Sequence, residues 1–319
     1  MAGPDSDLAP SLDNVEETEE QLRDKVIQWI LDLAESEKRD VALQELSKRR
    51  EMDELAIWIF YSAGTVMVLL QEVLLVYQKI FPPVLTAVQS NRVCNVLALM
   101  QCLASNEKTR GPLLKARIPS FLYPFLQTIG KTKPFEYLRL ASLGVIRALV
   151  QTDDPEVIAF LLDTDFIPLC LPIMEEDTEQ CSLVATFILQ KILVDDSGLA
   201  HICLNFERFA DVAMVLGKMV LQLEEEPPGL LLKHVVRCYG RLSDNPQALR
   251  QLHEHEYLPS RLRNETFAEL FKTDKLTYHW WLHLHKNLGL KTEAEVNRLM
   301  DALASPDQLE IDSTIEEVQ

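Results

Sequence analysis

The sequence predicts an all-α fold, an armadillo-like helical-repeat solenoid. Almost every segment between Pro and Gly residues carries apolar side chains three and four residues apart, and no run alternates long enough to require a strand. Glycine supplies only 10 of the 319 residues, about half its usual share, so an all-β fold with many tight turns is poorly supported. A recurring long apolar helix then favours the solenoid among all-α folds.

Four long apolar segments end alike, each passing through a small or polar residue into a turn that carries Asp or Asn. They are NRVCNVLALMQCLASNEKTR, YLRLASLGVIRALVQTDDPE, CSLVATFILQKILVDDSG and LLKHVVRCYGRLSDNPQA. Aligning Leu103, Leu149, Leu193 and Leu242 gives steps of 46, 44 and 49 residues. Armadillo and HEAT-like repeats recur every 40 to 47 residues or so. A stack of such units offers an extended surface for binding rather than a closed reaction pocket. An ordinary helical bundle with coincidental spacing is the alternative.

The negative charge of the chain is concentrated at its two ends. Residues 1–20 hold seven acids and residues 305–319 hold five, with no base in either segment, whereas the net charge of the whole chain is −18. We therefore predict disordered acidic tails at 1–20 and 305–319, an armadillo-like repeat domain at 21–290, and a candidate extra terminal helix at 291–304. Solubility is the simplest role for the tails. The remaining body is close enough to neutral to carry a local basic face.

One uncharged stretch, from Leu55 to Gln71, approaches the length of a membrane span. Ser62, Gly64 and Thr65 interrupt it, and a charged residue follows it directly. Two short buried helices joined at Ser-Ala-Gly explain the same pattern, and we favour them over a membrane span.

Cysteine usage indicates a reduced, intracellular chain. The six cysteines are scattered through apolar surroundings without a Cys-x-x-Cys pair, and the first 22 residues lack the positive region of a signal peptide. We expect the thiols to serve as small apolar side chains. They are Cys94, Cys102, Cys170, Cys181, Cys203 and Cys238.

The sequence offers few groups for catalysis or metal binding. It contains no glycine-rich phosphate loop and no Gly-x-Ser-x-Gly motif, and no His-Glu-x-x-His or partner Cys or Asp completes a metal site. We expect no catalytic residue, no metal and no cofactor. The metal candidates by residue type alone are His253, Glu254, His255, Glu256, His279, His283 and His285.

Acidic pairs recur between the predicted helices at equivalent positions. Asp and Asn favour the position before the first turn of a helix, because their side chains accept hydrogen bonds from its free amides. We therefore predict helix caps rather than paired catalytic carboxylates. The pairs are Asp153-Asp154, Asp195-Asp196 and Asp244-Asn245.

Basic residues also recur on the repeated long helices. If these helices form the inner layer of the solenoid, their basic side chains would line a groove suited to single-stranded nucleic acid or to acidic peptides. Solvated or locally paired charges are the alternative. The candidates for this basic groove are Arg92, Arg139, Arg147, Lys191, Arg237 and Arg241, with Lys233 beside them.

Five stretches closely resemble the Rcd-type ("required for cell differentiation") family, the armadillo-repeat subunit of the CCR-NOT deadenylase complex. They are SNRVCNVLALMQCLAS, KPFEYLRLASLGVIRALV, VATFILQKILVDDSGLAHIC, MVLGKMVLQL and LLKHVVRCYGRLSDNP. The resemblance runs from about residue 20 to about residue 290 and leaves out both acidic tails.

The resemblance implies a non-enzymatic adaptor that binds the large NOT scaffold subunit of a complex that shortens poly(A) tails. It also implies that the adaptor recruits tryptophan-containing silencing proteins and mRNA-binding proteins with short helical motifs, for mRNA decay and translational repression. Binding of single-stranded nucleic acid and self-association are also ascribed to the family. For this chain we expect weak binding of single-stranded nucleic acid, a homodimer as a candidate assembly, and no membrane. The implied localisation is the cytoplasm, with the nucleus and mRNA-processing bodies as further sites. The alternative function is a nucleic-acid-binding protein that acts through a basic groove.

Three sets of site residues follow from the resemblance. The scaffold-binding surface maps onto Tyr61, Ala63, Met67 and Leu74, the peptide groove onto Tyr137, Gly144 and Val184, and a degenerate tryptophan pocket onto Phe206, Arg208 and Gln247. Only the peptide groove keeps the residues that are usual in the family. After MVLQL the chain carries Glu224, Glu225 and Glu226 where the family often has basic residues, and Leu230 stands where Arg is common. The chain therefore resembles a divergent member or paralogue.

Overall fold

The computed structural model describes residues 19–222, 229–254, 257–264, 266–267, 271 and 274–303. Throughout these residues the regular structure is helical, and a 3-10 helix at Ile118–Leu122 separates α6 from α7. In chain order the α-helices are α1 (Glu19–Asp32), α2 (Arg39–Ser47), α3 (Leu55–Tyr61), α4 (Thr65–Ile80), α5 (Ala87–Ser105), α6 (Glu107–Lys115), α7 (Tyr123–Leu126), α8 (Lys133–Val150), α9 (Pro155–Asp163), α10 (Phe166–Glu176), α11 (Glu179–Val194), α12 (Asp196–Cys203), α13 (Phe206–Gln222), α14 (Leu230–Leu242), α15 (Pro246–Glu254), α16 (Ser260–Arg263), α17 (Lys275–Asn287) and α18 (Glu293–Leu303).

The long helices stack into one continuous row in which α2, α5, α8, α11, α14 and α17 each pack against the next. Leu103, Leu149, Leu193 and Leu242 occupy equivalent places near the C-terminal ends of α5, α8, α11 and α14, and all four are fully buried. The fold is therefore the predicted armadillo-like solenoid. Because each helix covers its apolar stripe with the neighbouring repeat, the core is continuous along the row.

The turns after these long helices are closed by the predicted caps. Asp154 accepts a hydrogen bond from the Glu156 amide at 3.0 Å, and Asp195 accepts from the Ser197 and Gly198 amides at 2.9 and 3.2 Å. Asn245 caps α15 in the same way, and Asn106 does so for α6. The capping hypothesis is confirmed, and it explains why Asp and Asn recur at the repeat interval.

Two further rows complete the solenoid. The helices α3, α6, α9 and α12 follow one another in the second row, and α7, α10 and α13 follow the 3-10 helix in the third. Phe125 in α7, Phe166 in α10 and Phe209 in α13 are buried between these rows and the long helices. The rows hold the long helices side by side, which creates the surface on which the candidate sites lie.

The uncharged stretch is broken at Ser62–Gly64, as predicted, and α3 meets α4 at 90°. Gly64 has a positive φ of 79°, a backbone conformation that glycine adopts without steric cost. Within the described residues no single helix is both long and apolar enough to cross a membrane. Two bent pairs reach that length and composition together, α3 with α4 and α9 with α10.

The predicted tails fall largely outside the described residues. Residues 19 and 20 already belong to α1, whereas the rest of the N-terminal tail and all of 305–319 are not described. The helix α18 occupies most of 291–304 and packs against α17. The acidic residues Glu224, Glu225 and Glu226 also lie outside the described residues.

Candidate functional site

A groove runs across α2, α5, α8 and α11 and brings together the three residues of the predicted peptide groove. Tyr137 and Gly144 lie seven residues apart on α8, and Val184 lies on the neighbouring α11. Tyr137 is about half exposed, and Val184 is partly buried against the core. The groove is lined by Ser47, Lys48, Arg50, Asn91, Cys94, Asn95, Ala98, Gln101, Tyr137, Leu140, Ala141, Gly144, Arg147 and Val184.

The floor of the groove is built from the same positions of successive repeats. On α8, Tyr137, Leu140, Ala141 and Gly144 share one helix face, because they stand at intervals of three and four residues. On α5 the corresponding face consists of Asn91, Cys94, Asn95 and Ala98, each 46 residues earlier in the sequence. Small residues on both helices keep this part of the groove shallow.

Gly144 keeps the centre of the groove open. A Cβ atom at this position would lie 3.2 Å from Oε1 of Gln101 on α5, so a side chain here would have to displace Gln101. The half-exposed ring of Tyr137 lies at the edge of the groove, and its backbone carbonyl accepts a weak hydrogen bond from Sγ of Cys94 on α5 at 3.6 Å. The α8 side of the groove is therefore an apolar slot with an aromatic ring at its edge, a shape that accepts one face of an amphipathic helix, whereas Asn91 and Asn95 make the α5 side polar.

The charge of the groove is positive. Its lining contains Lys48, Arg50 and Arg147, and none of its lining residues is an acid. Arg147 lies over the ring of Phe187, with Cζ 5.5 Å from the ring centroid, and Lys191 approaches the same ring to 5.9 Å. Because Lys191 is also paired with Asp153 at 2.7 Å, Arg147 supplies the positive charge of this cluster to the groove.

The predicted basic stripe is not a continuous row of free cations. Arg139 is a correction to that prediction, because its side chain is buried and paired with Asp177 instead of lining the groove. Nη1 of Arg139 also donates to the carbonyl of Gly130 at 2.8 Å. The side chain therefore joins α8 to the loop before it and to the turn before α11, and it is removed from the candidate nucleic-acid groove.

Three other members of the stripe are held by carboxylates. Arg92 donates to the buried Glu72 at 2.7 Å and pairs with Asp40, which links α5 to α4 and α2. Although burial alone would raise the pKa of Glu72, hydrogen bonds from Arg92 and Arg39 lower it below the usual range. Lys191 pairs with Asp153 at 2.7 Å, and Arg241 pairs with Asp196 and Asp244.

Arg237 and Lys233 lie further along the row on α14. Nε of Arg237 is buried without a hydrogen-bond partner among the described residues, and burial lowers the pKa of its guanidinium. Lys233 pairs with Asp274 at 2.9 Å. Of the six predicted groove cations, Arg147 alone lies both in the groove lining and away from any carboxylate of the described chain.

The residues of the predicted scaffold-binding surface lie around the corner between α3 and α4. Tyr61 and Met67 are 70% and 63% exposed, and Ala63 and Leu74 are exposed as well. Met67 and Leu74 stand seven residues apart on one face of α4, whose other face is buried against the core. We call Tyr61, Ala63, Met67 and Leu74 the α3–α4 face. Exposed apolar side chains clustered in this way are typical of surfaces that bind a partner.

The residues of the predicted tryptophan pocket lie at the starts of two helices. Phe206 and Arg208 are on the first turn of α13, and Gln247 is on the first turn of α15. The half-exposed ring of Phe206 lies edge-on to Tyr257, with 6.4 Å between centroids, and Nη1 of Arg208 donates to the His201 carbonyl at 2.5 Å. Arg208 is thereby oriented by the backbone, whereas Gln247 is exposed.

The buried histidines and cysteines of the described residues take part in packing. His283 contacts Oδ1 of Asp244 at 2.5 Å, and the buried His285 contacts the Leu262 carbonyl at 2.7 Å. The described residues contain no group of three His, Cys, Asp or Glu side chains that could hold a metal ion, and His255 and Glu256 lie outside them. Burial raises the pKa of Cys170 to about 12 and that of Cys94 to about 11, so these thiols stay protonated and unreactive at neutral pH.

Sequence reasoning missed several residues of the groove, above all Lys48, Arg50 and Leu140. The 46-residue step that relates Leu103 to Leu149 also relates Cys94 to Leu140, so applying the repeat to every position would have found the α5 and α8 floor. Lys48 and Arg50 follow the short α2, which shows no recurring long apolar segment. No signal in the sequence assigns them to the groove.

The chain is similar in sequence to proteins associated with cell differentiation. The model of the "Cell differentiation family, Rcd1-like" matches residues 29–288. The cell differentiation protein rcd1 of Schizosaccharomyces pombe is 54% identical over 265 residues, which cover 83% of this chain and 93% of that protein. Protein CAF40 of Saccharomyces cerevisiae is 49% identical over 251 residues, which cover 78% of this chain and 67% of that protein.

Solved structures of designed armadillo repeat proteins share the fold. One superposes with a TM-score of 0.60 at 14% identity, covering 82% of this chain and 99% of that chain. Another, solved in complex with the peptide (KR)4, gives a TM-score of 0.57 at 15% identity and covers 81% and 99%. At these identities the likeness is one of fold.

Proposed function

The chain belongs to the Rcd1-like cell differentiation family, and we propose that it is a non-enzymatic adaptor subunit of the CCR-NOT mRNA deadenylase complex. In this role it binds the NOT scaffold subunit through one surface and presents effector proteins on another, for mRNA decay and translational repression. The resemblance of the sequence to the armadillo-repeat subunit of that complex supports the assignment, as do two separate candidate binding surfaces of the fold.

The α3–α4 face is the observation that carries this proposal. Its large apolar side chains are turned outward, although the opposite side of α4 is fully packed. Exposing such side chains to water is unfavourable, at about 25 cal/mol for each Å² of apolar surface, so covering them with an apolar partner surface is a source of binding energy. We assign the scaffold to this face, because the face lies apart from the groove and leaves the groove free for effectors.

The groove is the second binding surface of the proposal. Its apolar floor with Tyr137, Gly144 and Val184 suits one face of a short amphipathic helix, as carried by mRNA-binding proteins, and its basic rim suits acidic residues flanking that helix. A designed armadillo repeat protein of similar fold was solved with the basic peptide (KR)4, whose charge is opposite to that of the acidic residues proposed here. We assign tryptophan-containing silencing proteins to Phe206, Arg208 and Gln247.

Affinity purification of the full chain followed by mass spectrometry tests the proposal. We expect the NOT scaffold and the deadenylase subunits to copurify from cytoplasmic extract. A purification that recovers the folded chain without the NOT scaffold would contradict it.

The alternative function, direct binding of single-stranded nucleic acid through a basic groove, has less support. Arg92, Arg139, Lys191 and Arg241 are committed to carboxylates of the chain itself. Each phosphate contact that is lost lowers both the affinity and its dependence on salt, so we expect weak binding with a shallow salt slope.

A further inference from the structure

The charge of the groove is opposite to that of the chain as a whole. The chain carries 49 acids and 31 bases, yet the groove lining holds three bases and no acid. Such a surface attracts negatively charged segments, because the potential of clustered charges extends over about 8 Å at physiological ionic strength.

The three cations of the groove are available to a ligand. Lys48 and Arg50 pair only with the nearby Glu45 and Glu51 among the described residues, at 2.6 and 3.2 Å, and both basic side chains are more than half exposed. Exposed pairs of this kind contribute about 0 to 1 kcal/mol and exchange readily for another carboxylate. Arg147 has no carboxylate within ion-pair distance in the described part of the chain, which leaves its positive charge to the groove.

The N-terminal segment of the chain enters the fold beside these cations. The first helix, α1, begins at Glu19, and one turn later Arg23 forms an ion pair with Glu54 at 3.2 Å. Glu54 follows Arg50 by four residues in the sequence, so this ion pair ties the start of α1 to the loop between α2 and α3, which also carries the groove residues Lys48 and Arg50. Residues 1–18 therefore join the described chain near the loop that carries Lys48 and Arg50.

The chemistry of residues 1–18 matches the groove. The segment contains five acids and no base, and it carries Leu8, Leu12 and Val15 at intervals of four and three residues. Eighteen extended residues span about 60 Å, whereas the three helix spacings from α2 to α11 amount to about 30 Å. The segment is long enough to reach Arg147 and Val184 from its point of attachment.

The C-terminal segment has similar chemistry but a different place of attachment. Residues 304–319 also contain five acids and no base, with Ile311, Ile315 and Val318 at intervals of four and three. They follow α18, which packs on α17 at the far end of the row of long helices. Position, and not composition, distinguishes the two tails.

We propose that residues 1–18 bind back into the groove of the same molecule and compete there with effector peptides. The proposal rests on the groove being the peptide site of the proposed function. Acids of the segment pair with Lys48, Arg50 and Arg147, and its apolar residues contact the floor around Val184. Because the segment is tethered, its effective concentration is on the order of 1 mM, so even weak binding keeps the groove partly occupied. An effector must then bind tightly enough to displace it.

Photo-crosslinking in the full chain tests this placement. The photoreactive residue p-benzoylphenylalanine replaces Leu12 in one variant and Leu309 in the matched control. On irradiation at low protein concentration, we expect Leu12→p-benzoylphenylalanine to label residues 91–101 and 137–147 in a product of monomer size, and the Leu309 variant to leave them unlabelled. Equal labelling of the groove by both variants, labelling elsewhere only, or a product of dimer size would overturn the proposal.

Neutralising the acids tests the role of charge. One variant combines D5N, D7N, D13N, E16Q and E17Q, and its matched control combines D307N, E310Q, D312N, E316Q and E317Q. We expect a labelled peptide of residues 1–18 to bind the first variant about tenfold more tightly than the unmodified chain, because a tethered competitor at about 1 mM with a Kd near 0.1 mM is removed. A change below twofold, or the same change in the control, would contradict the proposal.

These measurements use purified protein and need neither scaffold nor effector. If the groove is not labelled within the molecule but the NOT scaffold copurifies normally, the proposal that residues 1–18 occupy the groove is refuted and the proposed function still stands. If the groove is labelled within the molecule but the NOT scaffold does not copurify, the proposed function is refuted and the binding of residues 1–18 to the groove still stands.

Discussion

Arg139 and Asp177 form a two-pronged ion pair that joins α8 to the turn before α11. Nη2 of Arg139 donates to Oδ1 of Asp177 at 2.9 Å, and Nε donates to Oδ2 of the same carboxylate. Both side chains are 7% exposed, and Nη1 of Arg139 is used by the carbonyls of Thr128 and Gly130. Four of the five N–H donors of this guanidinium are therefore engaged within the chain. Arg139 is a structural residue and not part of a ligand-binding stripe.

We predict that Arg139→Ala destabilises the fold strongly. Removing one partner of a buried pair leaves the other charge uncompensated, which costs about 3 to 5 kcal/mol. The matched control is Arg147→Ala on the same helix, where an exposed side chain over Phe187 contributes less than about 1 kcal/mol. Guanidinium unfolding followed by circular dichroism measures both. Equal losses for the two variants would show that Arg139 is not the structural residue described.

We predict that the Arg139–Asp177 pair makes stability fall at acid pH. Burial alone would raise the pKa of Asp177, but hydrogen bonds from Arg139 and the Thr178 amide outweigh it and lower the pKa below the usual 3.8. A depressed pKa in the folded state means stability that is present above pH 3.8 and lost as the pH falls below it. Asp177→Asn should flatten this loss when the free energy of unfolding is measured between pH 5 and pH 2.

The control for that measurement is Asp163→Asn. Asp163 pairs with Arg117 at 2.7 Å, but both side chains are more than half exposed, so water screens the interaction. If Asp163→Asn reduces the loss of unfolding free energy at acid pH as much as Asp177→Asn does, the assignment of this loss to the Arg139–Asp177 pair is contradicted.

We predict that Gly198→Ala destabilises the junction between α11 and α12. A Cβ atom at Gly198 would lie 1.9 Å from the carbonyl oxygen of Ile192, and backbone cannot move away as a side chain can. The matched control is Gly217→Ala in α13, where a Cβ atom would have no contact shorter than 3.6 Å and alanine should stabilise the helix by up to about 1 kcal/mol. Thermal unfolding of both variants should therefore shift in opposite directions, and a Gly198→Ala protein as stable as the unmodified chain would count against the model of this junction.

The fold could be predicted from the sequence to a large extent, because each repeat contacts only its neighbours in the chain. The Leu103, Leu149, Leu193 and Leu242 series identified the four stacked helices, and Asp or Asn after each of them identified the turns. Both patterns arise from contacts within a repeat or between neighbouring repeats. Comparing segments of the sequence at the repeat interval is therefore sufficient to find them.

The basic groove was predicted less well, because its assignment ignored the direction of each side chain. Arg139 stands two residues after Tyr137 and hence about 200° around α8 from the groove face, whereas Gly144 is about 20° from it. That difference could have been read from the sequence. The pairing of Arg92 with Glu72 could not, because it depends on how α4 crosses α5. The α3–α4 face likewise needed the family resemblance, since an exposed apolar residue and a buried one look alike in a sequence.

We predict that Val184→Glu leaves the fold nearly intact and removes effector binding. Val184 lines the groove and is only partly buried, so the new charge can stay in water and the free energy of unfolding should change by less than about 1 kcal/mol. The matched control is Ala185→Glu at the next, fully buried position, which should cost several kcal/mol. A large fall in melting temperature for Val184→Glu would place this residue in the core and refute the groove assignment.

The most direct test of the proposed adaptor function compares two Met→Glu substitutions in affinity purification. Met67 lies on the α3–α4 face and is 63% exposed, and Met214 on α13 is 47% exposed and lies outside that face. Both variants should fold, because a charge at an exposed position stays hydrated. We expect Met67→Glu to lose the NOT scaffold and Met214→Glu to retain it in proportions equal to those of the unmodified chain. Retention of the scaffold by a folded Met67→Glu protein would contradict the account.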